Sequence, residues 1–271
     1  MNQTPQDTFY PTIRQAASVL FLTFIATMFF SILGPELDSK YYFIGSRVVF
    51  ILPMLFFLLS RKFSFRLTLR MRPVSLRIIG LCIVIGLCLS FIGEEFDRVM
   101  ANIIPLPEEI KALLKSELTA QSAFDWVVMI FGVIMLTALF EEFLFRGFLQ
   151  TALEAKLDVT RAVMATAFVF SLFYANPISV VQIVIAGVVL GVLAWKSDSF
   201  VPSTIAHIMI NAVGIAMTKN FLGDLPALNW HGHVHPILLI PTCFVLYFSI
   251  VLFYKFVEED LEISTFLNQP L

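Results

Sequence analysis

Charge is scarce in this chain. Of its 271 residues 14% are charged, 58% are hydrophobic, and the mean hydropathy is +0.86. A soluble domain carries about 25% charged and about 45–50% apolar residues, so a water-soluble globular protein is excluded. Length alone, at about 150 residues per domain, would suggest two domains. No polar block is present to form a soluble one, which leaves a single transmembrane domain over residues 1–271. The net charge of -2 lacks the basic excess that a nucleic-acid partner requires. Cysteine is equally sparse. Cys82, Cys88 and Cys243 lie in apolar runs without C-x-x-C spacing, which supports neither a disulfide framework nor a thiolate metal site and leaves buried, inert thiols. No A-x-A-like cleavage site follows the first apolar run, at 16–33, so this run reads as a retained span rather than a signal peptide.

What the chain does have is apolar runs, with 29 Phe among them. At about 20 residues per span, the runs at 15–33, 43–60, 78–93, 126–150, 161–176, 178–196, 199–216 and 236–256 predict an all-α polytopic membrane protein of about eight transmembrane helices. The segment between the second and third holds Arg61, Lys62, Arg66, Arg70, Arg72 and Arg77, six of the 18 Lys and Arg. By the positive-inside rule it is cytoplasmic, and both termini are then cytoplasmic too, with the chain in the cell membrane. Arg14, these six, Lys156, Arg161, Lys196 and Lys255 fall inside, and Lys40, Arg98, Lys111, Lys115 and Lys219 outside, an 11-to-5 split that supports the orientation. The basic segment suits contact with anionic membrane lipids. The longest outer segment, 94–125, contains an amphipathic stretch at 107–119. There Ile110, Leu113, Leu114 and Leu118 share a face, and Glu108 and Glu109 occupy the first turn, which predicts an interfacial helix lying on the membrane surface. Glu258, Glu259 and Asp260 read as a solvated cytoplasmic tail.

Against this background a few polar residues stand inside the spans. The stretch Leu139-Phe-Glu-Glu-Phe-Leu-Phe-Arg-Gly147 puts two carboxylates and a guanidinium where hydrocarbon makes them costly, and such groups are functional-site candidates by default. Glu142 and Arg146 are four apart and can pair on one helical face. Glu141 is turned about 100° from Glu142 and is the less well paired acid, which suits a general base or a proton carrier. In the seventh run Ser203, His207 and Asn211 are spaced by four and form one polar stripe. Asn176 stands just before the helix-ending Pro177. Gly187 and Gly191, four apart, read as a face for close helix packing. His231, His233 and His235 alternate in an outer loop with no acidic or Cys residue near them in sequence, at best an opportunistic metal site.

Glu141-Glu142-x-x-x-Arg146 in one span and His207-x-x-x-Asn211 about sixty residues later resemble the CAAX protease and bacteriocin-processing (CPBP) family. This family includes the Rce1-like prenyl endopeptidases and the ABI-type intramembrane proteases. The resemblance covers residues 123–213. It implies that Glu141 is the general base, that Glu142 and Arg146 form a supporting ion pair, and that His207 and Asn211 stabilise an oxyanion or bind a metal. The family's second motif is F-x-x-x-H. Aligned at its end it falls on Leu172-Phe-Tyr-Ala-Asn176, with Asn176 where the His is usual. Asn cannot take up a proton near neutral pH, and loss of acid–base help costs about 10²–10⁴-fold in rate. A divalent metal such as zinc would have only Glu141, His207 and weak Asn ligands, so the expectation is a metal-independent site with no cofactor, and a metal held by Glu141 and His207 stays open as the alternative. By residue count Glu141 and His207 both lie on the order of 12–15 Å from the cytoplasmic side and can meet, whereas Asn176 comes out further towards the outer face. The implied activity is peptide-bond hydrolysis by a Glu-activated water, on a peptide or membrane-protein substrate. Two alternatives stay open. One is a catalytically silent scaffold, immunity or peptide-binding protein, favoured by Asn176. The other is a small transporter with Glu141 as proton carrier, disfavoured by the lack of an inverted repeat.

Overall fold

The computed structural model describes residues 10–34, 39–104, 122–174, 179–218 and 230–267. These residues are helical almost throughout, and their one β contact is an isolated bridge between Trp230 and His233. The helices in order are α1 (Ile13–Leu33), α2 (Ser39–Arg61), a single turn α3 (Phe65–Thr68) and α4 (Leu76–Ile103). A composite helix α5 follows over 123–154, then α6 (Val159–Phe173), α7 (Val180–Ser197), α8 (Phe200–Thr218) and α9 (Pro236–Leu267). Seven of them are long and apolar enough to cross a membrane, and the chain is an all-α polytopic membrane protein. The eighth expected span is α6, whose 15 residues at about 1.5 Å each reach about 22 Å, short of a hydrocarbon core of about 30 Å.

Local sequence explains the ends of several helices. Thr12 and Gln15 close a capping box at the start of α1, with the Thr12 N–H donating to Gln15 Oε1 at 2.8 Å and the Gln15 N–H donating to Thr12 Oγ1 at 3.3 Å. Asp158 accepts the Arg161 N–H at 3.0 Å and starts α6. The third span departs from expectation. Its apolar run ends at 93, but α4 continues to Ile103. Nothing in 94–103 breaks a helix, and the polar residues there find partners: Arg98 pairs with Glu94 at 2.8 Å, and Glu95 accepts from the Val234 N–H at 2.7 Å and contacts His233 Nδ1 at 2.8 Å. The surface helix expected at 107–119 lies outside the described residues.

Two apolar cores hold the helices together. One gathers Ala16 and Leu20 of α1, Met54 and Leu58 of α2, and Phe145 and Phe148 of α5. The other gathers Cys82 and Ile85 of α4, Leu190 and Leu193 of α7, Ala206 of α8 and Phe253 of α9. Helix α8 packs against α4 on one side and against α5 on the other, which brings the Ser203–Asn211 stripe to Glu141 and Glu142. Of the three thiols, Cys82 and Cys88 are buried as expected. Cys243 is exposed on α9, on a helix that turns most of its apolar residues outward.

Part of the basic segment is drawn into the fold, while Arg61, Lys62 and Arg66 stay exposed. Arg70 is 8% exposed, pairs closely with Glu154 and lies 3.5 Å from Asp198. Arg72 reaches the other oxygen of Asp198 at 3.1 Å. The C-terminal acids, expected to form a solvated tail, are also engaged: Arg77 pairs with Glu259 at 3.4 Å and Asp260 at 3.1 Å, and Lys196 pairs with Glu258 at 2.5 Å. Charges at the rims of a bundle find each other because the helices end at similar depth, a relation invisible along the sequence.

The tightest helix crossing is at Gly86 of α4. A Cβ placed there would stand 2.4 Å from the Ala206 carbonyl oxygen and 2.9 Å from Ala206 Cα, backbone atoms that cannot rotate away. Gly86→Ala is therefore expected to push α8 off α4 and lower stability by about 1–3 kcal/mol, the usual cost of overpacking. Thermal unfolding in detergent measures this. An unchanged midpoint would show that the crossing has slack.

Candidate active site

Helix α5 is not uniform. Thr137–Glu142 is α-helical, and wider π-helical stretches flank it at Met129–Leu136 and Phe143–Leu149. Such widenings are frequent at functional sites. Here the two carboxylates stand at the end of the α-helical turn between them. Glu142 points into the protein and is 0% exposed. Its Oε1 lies 2.9 Å from Arg146 Nη1 and 2.8 Å from His207 Nδ1, and Ser203 adjoins it as well. Arg146, also 0% exposed, donates from Nη2 to the Gly187 carbonyl at 3.3 Å and lays its guanidinium 4.2 Å from the centre of the Phe170 ring. Phe170 in turn meets the His207 ring edge-to-face at 5.8 Å. The expected Glu142–Arg146 pair is present and is sealed from solvent.

Gly187 and Gly191 of α7 do pack closely, as their spacing suggests. A Cβ at Gly187 would come to 3.1 Å from Ala167 Cβ, and one at Gly191 to 3.0 Å from Val163. Their carbonyls have a second use, because Gly187 accepts from Arg146 and Gly191 accepts from Gln150 at 3.0 Å.

Glu141, itself buried at 7% exposure, faces the other way, towards two cavities. Its Oε2 accepts the Tyr174 hydroxyl proton at 2.8 Å and lies 3.8 Å from His207 Nε2. Its Oε1 lies 3.4 Å from Arg47 Nη1. The expectation that Glu141 is the less committed acid needs amending, since three partners surround it, although two of them at long range. A cavity of about 430 Å³ on one side is lined by Glu141, Tyr174, His207, Asn211, Arg47 and Gln182 among others. A second cavity, of about 490 Å³, lies between α1, α2 and α6 and shares Glu141, Arg47 and Tyr174 with the first. Glu141 thus stands in the wall between two cavities. Asn211, one turn beyond His207, donates to the Ile134 carbonyl at 3.3 Å and keeps its amide on the cavity lining.

Asn176 lies outside the described residues. At the end of α6 it is Tyr174 that meets Glu141, and its hydroxyl is also 3.5 Å from His207 Nε2. Phe170 and Tyr174, four residues apart, both touch the site, Phe170 through Arg146 and His207 and Tyr174 through Glu141. Sequence reading missed two participants. Tyr174 carries no signal beyond its place within the second motif. Arg47 does carry one, because it is an ionisable residue in the interior of a span (Tyr41–Arg61), by the same rule that singles out Glu141.

His207 Nδ1 contacts Glu142, and the described donors that face the 430 Å³ cavity include Glu141, His207 Nε2, the Tyr174 hydroxyl and the Asn211 amide. A catalytic zinc takes three protein ligands, and no group of three His, Cys, Asp or Glu able to hold an ion exists among the described residues. The outer histidines likewise form no such group; His233 is instead joined to Glu95.

Residues 123–213 match the family model described as type II CAAX prenyl endopeptidase Rce1-like. The likeness is to this segment of the chain. It runs from the start of α5 into α8 and holds Glu141, Glu142, Arg146, Tyr174, His207 and Asn211, whereas Arg47 lies outside it. No curated protein and no solved structure matches the chain.

The Glu142–Arg146–His207 cluster tests the architecture of the Rce1-like segment. Arg146→Met strands a buried carboxylate and is expected to cost about 3–5 kcal/mol. Adding Glu142→Gln in the same chain should return part of that loss, because the orphaned charge goes with it. Denaturant unfolding of the single and double variants measures both, and equal stability of the two would contradict the charge argument.

Proposed function

We propose that this chain is an intramembrane endopeptidase in which Glu141 activates water for attack on a peptide bond. The supporting observation is the opposition of Glu141 Oε2 and His207 Nε2 across 3.8 Å at a cavity wall, with the imidazole anchored behind by Glu142. A water between these groups would give its proton to Glu141 as it attacks, and Glu141 would pass that proton to the leaving amine. Glu142 holds the Nδ1 side of the His207 ring, and an N–H at Nε2 together with the Asn211 amide would bind the developing oxyanion. The Tyr174 hydroxyl holds the Glu141 carboxylate in place, the post that the family's second motif gives to His. The Glu142–Arg146 pair supports His207. No step is routed through a metal. The substrate would be a peptide or membrane protein in the cell membrane, and the distribution of loop Lys and Arg favours both termini on the cytoplasmic side.

One observation favours a second reading. The Tyr174 hydroxyl sits 2.8 Å from Glu141, in space that an attacking water would use. A chain in which that contact is permanent would be a silent peptide-binding scaffold.

Peptide cleavage by the purified protein in liposomes separates the two. Glu141→Gln should lower kcat by about 10²–10⁴-fold, and His207→Ala or Asn211→Ala should each lower it by about 10²–10³-fold, with a chelator leaving wild type unaffected. Absence of cleavage by folded wild-type protein across lipidated and unlipidated peptides would favour the scaffold.

The two placements of the second motif also differ in outcome. If Tyr174 holds the His position, Tyr174→Phe slows cleavage, and Tyr174→His restores it with an acidic limb near pH 6.5, the ordinary histidine range. Asn176→His changes little. The reverse pattern would return the motif to Asn176.

A further inference from the structure

Arg47 is poorly explained by the peptidase chemistry. Glu141 already has Tyr174 and His207 at Oε2, and Arg47 meets only Oε1, from one nitrogen, at 3.4 Å. Among the described residues this is its one hydrogen bond, so most of its five N–H donors remain unused. Arg146 shows what a structural arginine in this bundle looks like: it is fully buried, at 2.9 Å from its carboxylate, bonded to a carbonyl and stacked on a ring. Arg47 keeps 28% of its side chain accessible and borders both cavities.

The 490 Å³ cavity beside it has a distinct chemistry. Its walls are largely aromatic, including Phe24, Phe43, Phe50 and Phe173. Its hydroxyls are turned inward to their own helices: Thr27 donates to the Thr23 carbonyl at 2.9 Å, Ser31 to that of Thr27 at 2.9 Å, and Ser46 to that of Phe43 at 2.8 Å. Arg47 is the one cation among the described residues lining it. An aromatic chamber with a single guanidinium among its described lining residues selects for an apolar group that carries an anion. Of the anions, a carboxylate matches the planar fork of the guanidinium and would replace the Glu141 carboxylate at the same nitrogens.

We propose that Arg47 binds a carboxylate of the peptide substrate, and that this contact draws Arg47 away from Glu141 and frees the base. The carboxylate comes from the chain terminus or from an acidic side chain next to an apolar one. The scissile carbonyl lies on the His207–Asn211 side of Glu141, and the carboxylate-bearing part lies in the α1–α2 cavity. This rests on the peptidase reading for the identity of the ligand as a peptide. The anion site itself rests on Arg47 and its cavity, and Arg47 lies outside the Rce1-like segment.

The test uses fluorescent apolar peptides in three forms, namely free acid, C-terminal amide, and amide with one Asp near the end, and the full chain in detergent. Binding is read by anisotropy on wild type and on Glu141→Gln, and cleavage is read on wild type. A charge-assisted pair of this kind is worth roughly 10- to 100-fold in affinity. The free acid or the Asp amide should exceed the plain amide by that factor, which form does so identifying the carboxylate's source. Glu141→Gln should bind the anionic form tighter than wild type does, because the competing carboxylate is gone. Arg47→Gln should bring the ratio to near one, and Arg47→Lys should keep part of it. If Arg47→Gln does not fold, competition on wild type by an N-acylated amino acid against its amide gives the same ratio. Equal binding of acid and amide, a preference that survives Arg47→Gln, or no binding by any peptide would overturn the proposal. Arg47-dependent selection of the anion without cleavage would uphold it and remove the peptidase reading instead.

Discussion

A fully buried cluster of three charged or polar groups, Glu142, Arg146 and His207, fixes the position of everything else at the site. In hydrocarbon an unpaired charge is far costlier than in water, so these groups hold α5, α8 and α7 in one arrangement: Arg146 reaches the Gly187 carbonyl, and His207 comes from α8. Helices in lipid gain little from burying apolar side chains against one another, and small residues and polar contacts choose their partners. The glycines of α7 serve both ends, allowing close approach while presenting carbonyls to Arg146 and Gln150.

The same polar row continues down α5. Glu142, Arg146, Gln150 and Glu154 recur every four residues, and each binds a neighbouring element. Gln150 donates to Glu154 at 2.8 Å, and Glu154 holds Arg70 from the segment between α2 and α4. The row ties the site to the basic segment, and through Asp198 to the turn that starts α8. A carboxylate inside the bundle and an arginine at its rim thus belong to one structure. This is why Arg70 is buried although its neighbours in sequence suggest a lipid-facing loop.

What sequence could show follows from how local each feature is. Apolar runs and i, i+4 spacing are local, so the span positions, the Glu142–Arg146 pair and the Ser203–His207–Asn211 face are legible in the order of the residues alone. The rest depends on contacts between distant segments. Arg47 and Glu141 are 94 residues apart, and Tyr174 and Glu141 are 33 apart. No periodicity encodes such pairings. The extension of α4 to Ile103 is hidden because Glu94, Glu95 and Asp97 read as loop residues, whereas Arg98, His233 and Gln182 provide partners for them. The π-helical stretches of α5 are also invisible, since no residue type in them marks a wider helix.

The deepest consequence concerns two adjacent, chemically identical side chains. Glu142 is enclosed, with Arg146 and His207 fixed on a single oxygen, and cannot change partners without unpairing a buried charge. Glu141, one residue earlier and rotated outward, divides its oxygens between a hydroxyl at 2.8 Å and a cation at 3.4 Å, with an imidazole at 3.8 Å, and every one of these partners borders a cavity. A group with several loose partners can exchange any of them for a substrate or a water at little cost. A group with two tight buried partners can only hold. The division of labour between scaffold and chemistry therefore follows from the 100° turn between neighbours on a helix: one side of that turn faces α7 and α8, and the other faces the two cavities.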